Sequence, residues 1–260
     1  IQGGSHDITV SSSRLDGDVL SPRYSVDSVL TFLGNNMEGK TISLHHPVGT
    51  DAGSIRIEDN YLNYIYLNNA SNVQIKNNSG NSNGGHSYIF QLDTCSNITF
   101  SNNLLRRSYF YADTNVTFLS NDFVSEYNWY NVYNERCHQV SLSDNNYRSY
   151  YQHAVRFYNS STVSVQYDSI LYSDRDYYGF SIENGIDISI EDSYIFSNYR
   201  RYGIVVYGTG NNIYIKRNTL EADANVSDHR DGIHVNGNIG YLEIDSNIIS
   251  NYRDQGIYLE

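Results

Sequence analysis

The strongest constraint on this chain is a unit that recurs along it: an apolar–x–apolar pair, an Asn three positions later, and another apolar residue two beyond that. Ile55-Arg56-Ile57 leads to Asn60 and Leu62, Ile98-Thr99-Phe100 to Asn103 and Leu105, Val116-Thr117-Phe118 to Asn121 and Phe123, and Val140-Ser141-Leu142 to Asn145 and Tyr147. Downstream the pairs Val163/Val165, Ile188/Ile190, Ile213/Ile215 and Leu242/Ile244 lead to Asp168, Ser193, Asn218 and Asn247, followed by Ile170, Ile195, Leu220 and Ile249. Val73/Ile75 with Asn78 is a further unit that ends on Gly80. Successive units start 18 to 29 residues apart, mostly 23 to 25. Each holds a second alternating segment: Tyr64 to Leu67, Tyr88 to Leu92, Tyr109 to Tyr111, Ala154 to Phe157, Phe180 to Ile182, Ile204 to Val206, Ile233 to Val235 and Ile257 to Leu259. Alternation of period two, twice per unit with no helical stretch between, describes strands stacked on their own copies one coil later. The expected fold is all-β: a right-handed parallel β-helix of about ten coils, without evident end caps.

Composition agrees with one repetitive domain. Tyr, Asn, Ser and Ile recur from end to end, and 2 Pro stand against 26 Tyr and 32 Asn, whereas irregular loops normally draw on proline. We read residues 1–260 as a single β-helix domain cut from a longer chain, because a coil begins near Gly3 and another ends at Glu260. The formal net charge of -12 argues against nucleic acid as a partner, and no apolar run reaches the roughly 18 residues of a membrane span. Stacked Asn side chains carry donor and acceptor together, so a column of them can bond along the helix axis and satisfy a tight bend. Asn69, Asn77, Asn97, Asn115, Asn159 and Asn225 also precede x-Ser/Thr, about as many as chance gives in so Asn-rich a chain.

Cys95 and Cys137 each stand three residues ahead of a repeat strand, with Asp113 in the same place one coil between them. Two coils separate the thiols by roughly 9 to 10 Å, beyond disulfide reach. Two free thiols are expected.

The segments Gly179-Phe180-Ser181-Ile182, Gly203-Ile204-Val205-Val206, Gly232-Ile233-His234-Val235 and Gly256-Ile257-Tyr258-Leu259 resemble coils of the pectin-lyase-like β-helix superfamily, which includes polygalacturonases, alginate epimerases and phage tailspikes. The resemblance implies an acidic or surface polysaccharide as partner and, for an enzyme, hydrolase or lyase chemistry. Arg230-Asp231-Gly232-Ile233 is similar to the polygalacturonase Asn-Thr-Asp-Gly-Ile motif, and Arg253-Asp254-Gln255-Gly256 falls where that family has Gly-Asp-Asp, with Gln255 in place of the last Asp. On that resemblance Asp231 and Asp254 would be catalytic carboxylates. Sharing one column, they would start about 5 Å apart, closer than the roughly 6.5–9.5 Å of an inverting glycosidase. Carboxylates that close would instead share a proton, bind a cation, or be neutralised by Arg230 and Arg253.

Arg107, Arg148, Arg175, Arg201, Arg230 and Arg253 precede the second segment of successive coils, with Tyr109, Tyr151, Tyr178, Tyr202 and Tyr252 beside them. Guanidinium forks suit carboxylates or sulfates and aromatic faces suit sugar rings, so Arg148, Arg175, Arg201, Arg230 and Arg253 with Tyr151, Tyr178, Tyr202 and Tyr252 form a candidate carbohydrate-binding edge. The competing reading is an ion-pair ladder with Asp174, Asp176, Asp231 and Asp254. No set of His or Cys has metal-ligand spacing and no cofactor is expected; Ca²⁺ would suit the carboxylates but has no motif. Two functions stay open: an extracellular, cell-surface or virion-surface β-helix that binds and depolymerises an acidic polysaccharide, or a non-catalytic fibre or adhesin that assembles as a homo-oligomer or filament through uncapped ends.

Overall fold

A computed structural model describes residues 8–21, 30–45, 55–80, 90–125, 130–149, 153–172, 178–197, 202–225 and 230–260. Each coil carries two or three parallel strands around one apolar interior. Sheet A holds the apolar–x–apolar pairs: Ile8–Ser11, Leu30–Leu33, Ile55–Glu58, Ser71–Lys76, Ser96–Ser101, Thr114–Leu119, His138–Ser143, Ser161–Gln166, Ile186–Glu191, the second half of Ile204–Lys216, and Leu242–Asp245. Neighbours pair by whole coils, so Val116 lies beside Ile98 and Val140, and Phe118 beside Phe100 and Leu142. Ten such steps run from Ile8–Ser11 to Leu242–Asp245, matching the expected length.

Sheet B holds the second alternating segments, among them Phe90–Asp93, Ser108–Tyr111, Val155–Tyr158, Phe180–Glu183, Ile233–Ile239 and Ile257–Leu259. It also holds Val132–Glu135, which the alternation does not reveal because one of its inward positions is Asn134, fully buried. Among the described residues, sheet C is a third face of seven strands, from Leu104–Leu105 to Ile248–Ser250. Its strands begin at the residue directly after the Asn or its substitute and carry the repeat's apolar residue at their second position, as in Asp122–Ser125 with Phe123, a strand that a two-strand coil does not anticipate.

Sheet A's inward pairs, with Phe90, Phe110, Phe123 and Tyr147, build a continuous core. Phe100 and Phe118 stack at 5.0 Å between ring centroids, and Phe123 and Tyr147 at 4.9 Å. Tyr147 is tolerated there because its hydroxyl donates to Asp168 at 2.9 Å.

The bend from sheet A to sheet C follows one recipe. A left-handed residue comes first: Asp59, Asn77, Asn102, Ser120, Asp144, Tyr167, Asp192, Arg217 or Ser246, with φ between 51° and 56°. The next residue is the repeat's Asn or its substitute. Left-handed backbone costs a non-glycine residue free energy, least for Asn and Asp, and the buried amide at the next position offsets it. Asn60 accepts from the Asn35 backbone at 3.0 Å and from its amide at 2.9 Å, and the pattern repeats through Asn78, Asn103, Asn121, Asn145 and Asp168. Ser193 and Asn218 continue the backbone bonds, and Asn247 ends the column. The Asn column is therefore structural. Cys95 and Cys137 are free and buried, with the Cys95 amide bonded to Asp113 at 2.6 Å, as the shared column requires.

Candidate functional site

Outward side chains of sheet B, together with residues just ahead of its strands, make a continuous aromatic file. Inward Ile233 and Val235 are buried, so His234 between them must point out. Its ring stacks on Tyr258 at 5.0 Å and packs against Tyr202 at 4.5 Å. Tyr178 stacks on Tyr202 at 5.4 Å, His153 lies 4.5 Å from Tyr178, and Tyr130 lies 4.9 Å from His153. Tyr133 and Tyr109 extend the file at 4.8 and 5.3 Å.

Midway, Arg156 is set among rings. Its guanidinium lies 5.2 to 5.4 Å from the rings of Tyr130, Tyr133 and Tyr158, and it is ion-paired to Glu183. Burial works against the Arg156 charge, but Tyr130, Tyr207 and Glu183 outweigh it and hold the group protonated. This cation is committed to protein partners.

At the far end of the file an open depression of about 600 Å³ is lined by Tyr202, Arg230, Asp231, His234, Arg253, Asp254, Gln255, Tyr258 and Glu260. Asp231 is buried, and its Oδ2 lies 2.9 Å from His234 Nδ1. Arg230 is exposed and donates to the Tyr202 hydroxyl at 3.0 Å, with its guanidinium 5.9 Å from that ring. The nearby Tyr202, Asp254 and Asp231 raise its affinity for the proton further. Arg253 and Asp254 are exposed on the rim.

The expected column of two carboxylates is not formed. Ile233 pairs with Ile257, which puts Asp231 level with Gln255, while Asp254 is level with Arg230. Asp231 Oδ2 is also hydrogen-bonded to His234 Nδ1. The arginine edge is reduced as well. Arg107 is buried at the head of a sheet B strand, and Arg148 sits on sheet C between Val124 and Leu171. Arg175, Arg201 and Tyr151 lie outside the described residues. Tyr252 packs against the core, its hydroxyl lying where a Cβ on Gly203 would go, so it offers no ring to a sugar. Burial pushes its hydroxyl above the usual tyrosine range. Tyr178, Tyr202, Arg230, Arg253, Asp231 and Asp254 remain together around the depression or its aromatic file. His234 was missed because isolated histidines carry no spacing signal, although its outward place in Ile233-His234-Val235 is readable.

Residues 33–236 match the family described as periplasmic copper-binding protein (NosD). The chain belongs to the NosD family. A search of curated protein sequences finds no match. Among solved structures, the Dettilon tailspike protein is similar at 12% identity with a TM-score of 0.54, covering 88% of this chain and 62% of the tailspike chain. The Streptococcus pneumoniae surface adhesin PfbA is similar at 10% identity and a TM-score of 0.50, covering 97% of this chain and 91% of the adhesin. The NosD match and these likenesses place the fold in the pectin-lyase-like group of right-handed parallel β-helices. The chain thus spans less than two thirds of the tailspike. No helix among the described residues is long and apolar enough to cross a membrane.

Proposed function

We propose that this NosD-family β-helix binds an acidic polysaccharide at the depression around His234. The observation that carries this reading is the convergence of two rim guanidiniums, Arg230 and Arg253, with the ring of Tyr258 in one open hollow that Tyr202, buried between Tyr178 and His234, backs. Guanidinium forks match carboxylate or sulfate geometry, and tyrosine offers apolar faces to sugar rings. Asp231, Asp254 and Gln255 supply acceptors and a donor for hydroxyl groups. An extracellular or envelope location fits a family described as periplasmic and structural neighbours that are a tailspike and a surface adhesin.

The family's description also names copper. The described residues do not fit a copper centre: none of their His, Cys, Asp and Glu side chains form a group of three that could hold a metal. The thiols are buried, burial pushing Cys95 up to about 12, and the one methionine, Met37, is sealed in the core.

Affinity electrophoresis through gels containing polygalacturonate, alginate or neutral dextran tests the reading. Retardation by an acidic gel and not by dextran, weakened at least about tenfold in Arg230→Ala/Arg253→Ala, is expected, since each charged hydrogen bond lost is worth about 1.5–3 kcal/mol. Binding untouched by the double variant, or absent from every acidic gel, overturns it.

A further inference from the structure

We infer that the aromatic file on sheet B is a one-electron relay, which carries an oxidising equivalent from an oxygen-centred radical met at the hollow to Tyr109. The relay is independent of the polysaccharide reading, which needs only the rim of the hollow.

Phenols are among the most easily oxidised side chains, and the two thiols that would compete with them are buried. An electron passes between two rings only where their orbitals overlap, and that overlap decays steeply with distance. Ring-to-ring contact is therefore what a relay requires. From Tyr258 to Tyr109 every step is such a contact, at 4.5 to 5.4 Å between centroids. His234 and His153 serve as bridges, since an imidazole is harder to oxidise than a phenol. Each lies between two tyrosines, His234 between Tyr258 and Tyr202, His153 between Tyr178 and Tyr130. The file is also bounded: Gln91 takes the next outward place beyond Tyr109 and parts it from Tyr66.

Charge gives the file a direction. Arg230 donates to the Tyr202 hydroxyl and Arg156 to the Tyr130 hydroxyl, and the Arg156 guanidinium lies 5.2 Å from the Tyr133 ring. A cation so placed opposes a second positive charge on the ring, so an electron hole does not rest there. At Tyr109 the neighbour is an anion: the hydroxyl donates to Glu135 Oε2 at 2.9 Å. When Tyr109 loses an electron its phenol becomes strongly acidic, and the proton crosses that bond to the carboxylate.

The cycle balances. The radical takes one electron and the phenolic proton from Tyr258 and leaves as a hydroxyl compound. Tyr258 regains an electron from Tyr202 and a proton from water, the intervening tyrosines pass the electron on, and Tyr109 supplies the last one. A thiol in the surroundings returns an electron to Tyr109 and releases its proton to water, while Glu135 hands back the proton it held.

Gln255, exposed at the hollow, would be replaced in the intact chain (Gln255→Cys) and labelled with a ruthenium trisbipyridyl sensitiser, the buried native thiols being out of reach. Flash–quench oxidation then delivers one hole to the hollow. Tyrosyl radical is followed by transient absorbance and electron paramagnetic resonance, and a nitroso spin trap with peptide mapping shows which tyrosine holds it. The expected result is an adduct on Tyr109, formed more slowly in heavy water. Tyr178→Phe keeps a ring in the file but removes a station, so the Tyr109 adduct should be lost and the radical held at Tyr202 or Tyr258. Glu135→Gln leaves every ring in place and removes the proton acceptor, so the Tyr109 adduct should again be lost. An adduct in the labelled parent that stays at the hollow, or spreads to tyrosines outside the file, overturns the relay. So does an undiminished Tyr109 adduct in either folded variant, which would mean that the hole travels around the file.

Discussion

At the bend from sheet A to sheet C an Asn or its substitute stands in coil after coil, whereas at the bend from sheet B to sheet A the corresponding residues are Ala70, Cys95, Asp113, Cys137, Ser160 and Gly185. Both bends leave the same two carbonyls to satisfy. Asn60 Nδ2 donates to Glu58 O, two residues back, and to Phe32 O, one coil back, at 2.8 and 3.0 Å. The Cys95 thiol reaches the equivalent Asp93 O and Leu67 O at 3.5 and 3.4 Å, and the Ser160 hydroxyl reaches Tyr158 O and Asn134 O at 3.2 Å. A bend of this kind needs a short donor, and an amide supplies donor and acceptor together. Asp113 supplies a donor only while it keeps its proton. Its Oδ2 is buried without a hydrogen bond among the described residues, and burial pushes its carboxyl up to about 8. Asp168, in the Asn column, is pushed up to about 7 by burial, yet it accepts from the Asn145 amide, the Asn145 backbone and Tyr147. One column is a chain of partners and the other a series of separate solutions.

The largest effect should come from cutting the continuous column. Asn145→Ala removes the bonds from Asn145 Nδ2 to Phe118 O and Asp168, and the acceptor for the Asn121 backbone and amide. Several buried groups lose partners at once, each costing about 1–3 kcal/mol, so a loss of roughly 3–5 kcal/mol is expected in urea unfolding. A loss under about 1 kcal/mol would mean that the column is no more cooperative than its neighbour.

Most of this architecture was readable because the repeat is physical. Ile98, Val116 and Val140 align because each faces one interior, and Asn103, Asn121 and Asn145 align because each fills one bend. The strand at Val132–Glu135 was hidden by inward Asn134, and sheet C by residues that serve as both turn exit and strand. The site was harder. Arg230, Arg253 and Tyr202 were found by their recurrence ahead of the second segment and Asp231 and Asp254 by resemblance to a motif, but Asp231 stands two residues before Ile233 and Asp254 three before its partner Ile257, and that one-residue shift separates them. Arg148 and Tyr252 were misjudged because sequence does not say which face a residue near a corner takes.

Asp113→Asn should convert the irregular column toward the regular one. The folded carboxyl at about 8 stands above the unfolded value of about 3.9, so the native state holds an extra proton between the two. Stability from this group is therefore full at low pH and falls as pH rises through that window, by up to about 1.4 kcal/mol per unit. The amide has no proton to lose. Urea unfolding at pH 5, 7 and 9 should show the variant gaining over the parent as pH rises, while Asp168, pushed up to about 7, keeps a slope of its own. A gain that does not change with pH would contradict the protonated state of Asp113.

The smallest effect belongs to Cys95→Ser. Ser160 holds the next-but-two position of the same column and bonds its two carbonyls with a hydroxyl, so the exchange keeps the donor and its targets. A hydroxyl bonds more strongly than a thiol but fills less volume in a site that is almost fully closed, and the two differences oppose each other. Stability should stay within about 1 kcal/mol of the parent, in contrast to Asn145→Ala. In the parent, burial pushes Cys95 up to about 12 and Cys137 higher still, so both thiols should alkylate only at the rate of unfolding. Rapid labelling of the native chain would show that this column opens locally where the Asn column does not.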